Sequence, residues 1–310
     1  MHNWQPSTHT HTRLLHKLFT GGAIVALRTA IMLDFICNDY GAAYGVTPYA
    51  RARLVYQSRR TVRAIPSGTS VITHLVLMRE ILSIPPTTPG VVVECGVWKG
   101  ASSASLSLAC RLTGRRLLVC DSFAGLPATG QTAAGPHLYL APHAGLYGYL
   151  TGGMFSGALT EVQQNIARFG ALDVCDFVPG FFADSLPQVQ QPIAFAFLDV
   201  DLPASFHDCL RHLWPQIVND GVIYVDDVGC LDLCQIFFDE AWWQRELGCP
   251  APGLVGAGCG LPLHPVYSNI GYTRKLPANA IKEASRRWRQ APYLVYPTAS
   301  TVPPDRQESP

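Results

Sequence analysis

Three carboxylates stand at the ends of two apolar runs. Asp199 follows Ile193–Leu198, and Asp226-Asp227 follows Val222–Val225. One helix and its connections separate the two positions, so in a parallel sheet they meet at adjacent strand ends. Three carboxylates in one apolar cleft repel and raise one another's pKa. A divalent cation removes that conflict, and an all-oxygen ligand set suits Mg²⁺ or a similar hard ion. Asp201, two residues on, reads differently, as an N-cap of the helix that starts near Pro203.

A second constellation lies earlier. Val91–Cys95 runs directly into Gly96-Val97-Trp98-Lys99-Gly100 and then a helical pattern. A strand–glycine loop–helix turn lets a ligand approach the backbone and presents N–H groups to it. Alone, such a loop is equally a tight βα turn. The next strand, Leu117–Cys120, ends in Asp121, where an acid can accept both hydroxyls of a ribose. Asp121 can also cap the Ser-Phe-Ala-Gly turn that follows. Neither G-x-G-x-x-G nor the P-loop pattern occurs. A nucleoside-containing cofactor without a pyrophosphate motif points to S-adenosylmethionine (SAM) rather than NAD.

The elements that must hold these residues alternate. Strands are expected at 91–95, 117–120, 174–178, 193–198 and 222–225. Helices are expected at 101–112, 160–169 and 203–218. That alternation predicts an α/β, Rossmann-like, doubly wound and mostly parallel sheet with ligands at the strands' carboxyl ends. Before it, Ile65-Pro66-Ser67-Gly68 is a turn, and Thr69 can cap a helix carrying Val71, Leu75, Met78 and Leu82. Residues 1–64 form a helical extension. Its Arg51, Arg53, Arg59, Arg60 and Arg63 suit a solvated face or a homo-oligomer contact. Residues 127–157, with Tyr139, Tyr147, Tyr149 and Phe155, lack a clean period and read as a lid. Residues 65–291 make the catalytic domain, and 292–310 a loose tail.

Composition excludes other classes. The 310 residues include 48% hydrophobic and only 15% charged, with 23 Lys+Arg against 22 Asp+Glu. Such a chain can bury a core and is not disordered. It has no basic excess for nucleic acid. The most apolar stretch, Phe19 to Cys37, is interrupted by Arg28 and Asp34, so no integral membrane span is expected. The ten cysteines include no CxxC pair, and Cys230 and Cys234 have no histidines at zinc spacing. Most sit in apolar patterns as free thiols, which places the chain in a reducing cytoplasm.

Five blocks in order, Glu94–Gly100, Asp121–Pro127, Phe177–Pro187, Leu198–Leu202 and Val225–Asp227, resemble the macrocin O-methyltransferase (TylF-type) family. The resemblance spans roughly residues 65–290 and implies a class I SAM-dependent, metal-dependent O-methyltransferase acting on a hydroxyl of a sugar or natural product. It implies that Glu94, Cys95, Gly96, Val97 and Trp98 line the methionine end of SAM. Asp121 and Ser122 would hold the ribose, and Gly180, Phe181 and Phe182 the adenine side. Thr69, Gly100 and Phe123 complete the cofactor set. Asp199, Asp226 and Asp227 would bind metal, and Asp199 or the lid residue His143 would take the proton. His137 is a second lid histidine. The chain departs from the family at Val200, Pro203, Ala204 and Val228. Two alternatives stay open: a glycosyltransferase using Asp199-Val200-Asp201 as a DxD motif, and a catalytically silent SAM-binding protein.

Overall fold

Parallel strands buried on both faces read as continuous apolar runs, because helices cover both sides of the sheet. The computed structural model, which describes residues 9–128, 150–258 and 269–277, has this arrangement. In chain order the elements begin with helices α1 (His9–Cys37), α2 (Pro48–Ala64) and α3 (Val71–Ser83). Then come β1 (Val91–Cys95), α4 (Ala101–Thr113), β2 (Leu117–Asp121), α5 (Leu159–Phe169), β3 (Cys175–Pro179) and α6 (Phe182–Ser185). The chain continues with β4 (Ile193–Leu198), α7 (Pro203–Leu213), β5 (Ile217–Val225), α8 (Leu231–Ile236), α9 (Glu240–Leu247) and β6 (Gly271–Arg274). The strand order is β3-β2-β1-β4-β5-β6. All neighbours are parallel except β6, which runs antiparallel to β5.

Period-two alternation divides each strand between two cores. Val92, Leu117, Val119, Phe195, Phe197 and Tyr224 pack with α2–α5 on one face. Val93, Cys95, Leu118, Cys120, Ala196, Leu198 and Val225 pack with α7–α9 on the other. The N-terminal extension shares the first core through Phe35, Leu54 and Val55. Arg51 departs from the solvated-face expectation. It is buried and donates to the carbonyls of Ile36, Tyr40 and Val46, tying the end of α1 and the following turn to α2. Arg53, Arg59, Arg60 and Arg63 are exposed.

Three boundaries differ from the sequence reading. The helix expected over 203–218 stops at Leu213, because Pro215 cannot continue it, and Trp214–Gln216 forms a 3₁₀ turn. Strand β5 therefore starts at Ile217, and its pairing with β4 skips from Ile193↔Ile217 to Phe195↔Val222. The N-cap of α3 is Ser70, whose side chain accepts from the Thr73 N–H, so Thr69 is not the cap. The described cysteines are all free thiols. No helix among the described residues is long and apolar enough to cross a membrane.

Candidate active site

Register brings the chemistry to one edge of the sheet. Cys95 pairs with Cys120 and Leu198, and Leu198 with Val225, so Gly96, Asp121, Asp199 and Asp226 leave the sheet side by side. Backbone hydrogen bonds extend the pairing by one step: Gly96 N–H to Cys120 O at 3.0 Å, Asp199 N–H to Cys95 O at 2.9 Å, and Asp226 N–H to Leu198 O at 2.9 Å.

The loop after β1 is built by close approaches. Gly96 has φ 82°, and Gly100, at φ 79°, enters α4 against Val162 of α5. Trp98 has φ 44°, and a Cβ on Gly157 would lie 1.9 Å from its carbonyl oxygen. Lys99 pairs with Glu161 at 2.7 Å, and Asn165 donates to Lys99 O at 3.0 Å. The glycine loop is therefore braced on α5.

Asp121 caps the turn that follows it and ties that turn to the glycine loop. Its Oδ1 accepts from the Phe123 N–H at 2.6 Å, capping the turn, and its Oδ2 accepts from the Val97 N–H at 2.8 Å. It also lines the cavity, and burial raises its pKa, with the backbone donors opposing. Each carboxylate oxygen can accept more than one hydrogen, and Oδ1 also faces the Ser122 hydroxyl at 3.5 Å. Beyond the turn, Leu126 is held by two backbone bonds, its N–H to Met154 O and its carbonyl from the Gly153 N–H, both 2.9 Å. This places Phe155 edge-on to Trp98, ring centroids 5.7 Å apart.

A single cavity of about 490 Å³, within the usual size range for small-molecule sites, joins the two constellations. Thr69, Gly96, Val97, Trp98, Asp121, Ser122, Phe181 and Phe182 line it, as do Asp199, Asp226 and Asp227. Five other residues expected at the cofactor build its walls instead. Cys95 points into the α7-side core because strand alternation turns it from the Gly96 loop. Glu94 is fully buried toward the opposite face, with both carboxyl oxygens lacking a hydrogen-bond partner. Burial pushes its pKa up to about 7 against the neighbouring Ser102 and Ser103, and Asp121 adds to the rise. Gly100 packs on α5, Phe123 packs on Phe177, and Gly180 donates its N–H to Asp121 O. His143, His137, Tyr139, Tyr147 and Tyr149 lie outside the described residues.

The acidic cluster is larger than three. Asp199, Asp201 and Asp227 offer carboxylate oxygens all within 4.8 Å of one another. Asp201 does not cap α7: the N-cap is Leu202, with no side-chain cap bond. A φ of 57° turns Asp201 out of the helix start and into the cavity. Burial, then Asp227 and Asp121, raise its pKa to about 7. Burial and then Asp226 push Asp199 well above the ordinary carboxylate range, and burial and then Asp227 do the same for Asp226. Asn269 donates to Asp227 Oδ1 at 3.0 Å. The positive-φ side chains Trp98, Phe155, Asp201 and Asp227 all line the cavity, which is where backbone strain collects when geometry serves a ligand. A cluster of oxygen donors with pKa values this high fits a hard divalent cation, which would return the carboxylates to their charged form.

Sequence reasoning missed Asp201, Ser67, Ser102 and Asp208 as cavity residues. Asp208 carries a legible signal, since it lies one helical turn beyond Ala204, which also lines the cavity.

A glycine loop after β1, an acid ending β2, and a parallel sheet ordered 3-2-1-4-5 with an antiparallel β6 at its edge define the class I SAM-dependent methyltransferase fold. The family model described as "Macrocin-O-methyltransferase (TylF)" matches residues 75–252. The chain belongs to this family and is an S-adenosylmethionine-dependent O-methyltransferase. It is 34% identical over 222 residues to 8-demethyl-8-(2,3-dimethoxy-alpha-L-rhamnosyl)-tetracenomycin-C 4'-O-methyltransferase of Streptomyces olivaceus, covering 69% of this chain and 81% of that protein. It is 30% identical over 157 residues to demethyldecarbamoylnovobiocin O-methyltransferase of Streptomyces niveus, covering 49% of this chain and 58% of that one. The solved structure of the O-methyltransferase NovP aligns with TM-score 0.49 and 22% identity over 75% of this chain and 83% of that one.

Proposed function

We propose that this enzyme methylates a hydroxyl on a sugar or sugar-bearing natural product, with a divalent cation held by the acidic cluster. The observation that carries this reading is the joining of Asp121 and the Asp199–Asp227 cluster in one cavity. SAM supplies an activated methyl group when bound. In this reading Asp121 would accept from the ribose, the Gly96–Trp98 backbone would border the cofactor, and Phe181 and Phe182 would flank the base. A divalent cation, when bound, supplies positive charge that offsets the carboxylates and favours the deprotonated acceptor hydroxyl. Asp199 and Asp227 belong both to the set expected from the sequence and to the set that converges in space. Asp226 and Asp201 compete for the third position, and the one left outside the ligand set takes the acceptor's proton on a carboxylate oxygen. Positioning alone can supply roughly 7–11 kcal/mol of the barrier. The relative that methylates the 4'-hydroxyl of a rhamnosyl group supports a deoxysugar acceptor.

The test is methyl transfer from SAM to rhamnosylated polyketides and free deoxysugars, with and without EDTA, beside calorimetry with SAM and with UDP-sugars. Turnover that EDTA abolishes and Mg²⁺ restores is expected. Binding of UDP-sugars but not SAM refutes the reading in favour of glycosyl transfer, and full turnover in EDTA removes the cation from it.

A further inference from the structure

The cavity has a problem of charge. Asp121, Asp199, Asp201, Asp208, Asp226 and Asp227 all line it, and among the described residues no lysine, arginine or histidine does. A ligand's carboxylate entering this cavity must therefore be met by neutral donors, and those must be oriented to donate.

One such donor is built into a chain of buried groups. Thr69 Oγ1 lies 2.9 Å from His74 Nε2, and His74 Nδ1 lies 3.0 Å from Ser105 Oγ. Ser58 Oγ donates to Ser105 Oγ at 3.3 Å. His74, Ser105 and Ser58 are fully buried, and Thr69 is 7% exposed at the cavity wall. The chain thus runs from α2, through α4 and α3, to the ligand. One order gives every group in the chain a partner: Ser105 receives the Ser58 hydrogen and gives its own to His74 Nδ1. That makes Nδ1 the acceptor and leaves the ring's single proton on Nε2, which donates to Thr69. Ser67 Oγ donates to Thr69 O at 2.9 Å, so its hydrogen is also committed. The Thr69 hydroxyl hydrogen is then left to two acceptors, Ser67 Oγ at 3.3 Å and a ligand oxygen in the cavity, and an anionic oxygen is the stronger of the two. Burial lowers the His74 pKa to about 4, so the ring stays neutral and the order holds across physiological pH.

We propose that His74 is a positioning residue: through this chain it holds the Thr69 hydroxyl as a donor to the carboxylate at the amino-acid end of SAM. This rests on the functional reading above. Asp121 takes the ribose and the acidic cluster faces the acceptor, so the wall formed by Ser67, Thr69 and Ser102 is left for the amino-acid end.

The experiment is calorimetry with SAM and with decarboxylated SAM, which lacks only the carboxylate. His74→Phe and Thr69→Val should each weaken SAM about tenfold, the worth of one hydrogen bond to a charged group. Both should leave decarboxylated SAM within twofold of the wild type, and the double variant should lose no more than either single one. His74→Gln, which can accept from Ser105 and donate to Thr69, should recover most of the loss. Equal weakening of both ligands, or no weakening of SAM, overturns the proposal. Should His74→Phe fail to fold, Ser105→Ala carries the same ligand comparison. In addition, ¹⁵N NMR of the wild type should show the neutral Nε2–H tautomer between pH 5 and 8, and an Nδ1–H tautomer overturns the proposal. A wild type that binds neither ligand refutes the functional reading instead, and the tautomer still decides the direction of the chain.

Discussion

A Cβ on Gly96 would stand 1.7 Å from the carbonyl oxygen of Asp199. The loop that leaves β1 and the loop that carries the acids after β4 are in backbone contact, so neither can move without the other. Gly96→Ala must push them apart, and its φ of 82° adds strain for any L-residue. We expect it to cost about 2 kcal/mol or more in urea unfolding and to weaken both SAM and Mn²⁺ binding. Loss of one ligand alone would show that the two loops are independent.

Asp201 and Asp226 are separable by asparagine substitution. Mn²⁺ calorimetry without SAM should show Asp199→Asn losing at least about tenfold in affinity, by removal of a charged ligand. Of Asp201→Asn and Asp226→Asn, one should lose cation affinity likewise. The other should keep it and lose about 10²-fold or more in kcat, as expected of a proton acceptor. Unchanged Mn²⁺ affinity in all three variants would dismiss the cluster as a cation site.

Asp121→Ala removes the acceptor of two backbone N–H groups as well as the expected ribose contact. S-adenosylhomocysteine affinity should fall about tenfold or more, while Mn²⁺ affinity stays near that of the wild type. A parallel fall in both would mean that the whole edge of the sheet had collapsed, and the ribose assignment would lose its support.

Glu94 makes folding sensitive to pH. Burial raises its pKa from 4.5 to about 7, so between these values the folded state holds a proton that the unfolded state releases. Stability from this group is complete below pH 4.5 and falls as pH rises to 7, by about 3 kcal/mol. Glu94→Gln has no such slope. Urea unfolding should find it more stable than the wild type at pH 8 and nearly equal at pH 4.5, and identical pH profiles would refute the shift.

The strands were legible because an apolar run without alternation has few other homes than a doubly covered sheet, and Asp121, Asp199 and Asp226 were legible as the first polar residues beyond such runs. What escaped depended on one-residue decisions made by three-dimensional neighbours. Thr69 and Ser70 both satisfy the helix-cap pattern, and Ser70 takes the cap because Thr69 is bonded to His74. Asp201 before Leu202-Pro203 looks like a cap, yet its positive φ hands that place to Leu202. Cys95 and Gly96 are adjacent in a ligand-like motif, but alternation sends one side chain into the core while the other residue borders the cavity. The family resemblance located the blocks and could not decide any of these.

The paired backbones of Leu126 and Met154 have an evolutionary consequence. They join positions 126 and 154 beside the cavity, so the two ends of the intervening stretch are held together whatever its length. Doubling such a span costs only about 0.6 kcal/mol in closure entropy. Exchanging it between relatives is then a graft at one junction, with the strand ends that carry Asp121, Asp199 and Asp226 inherited unaltered.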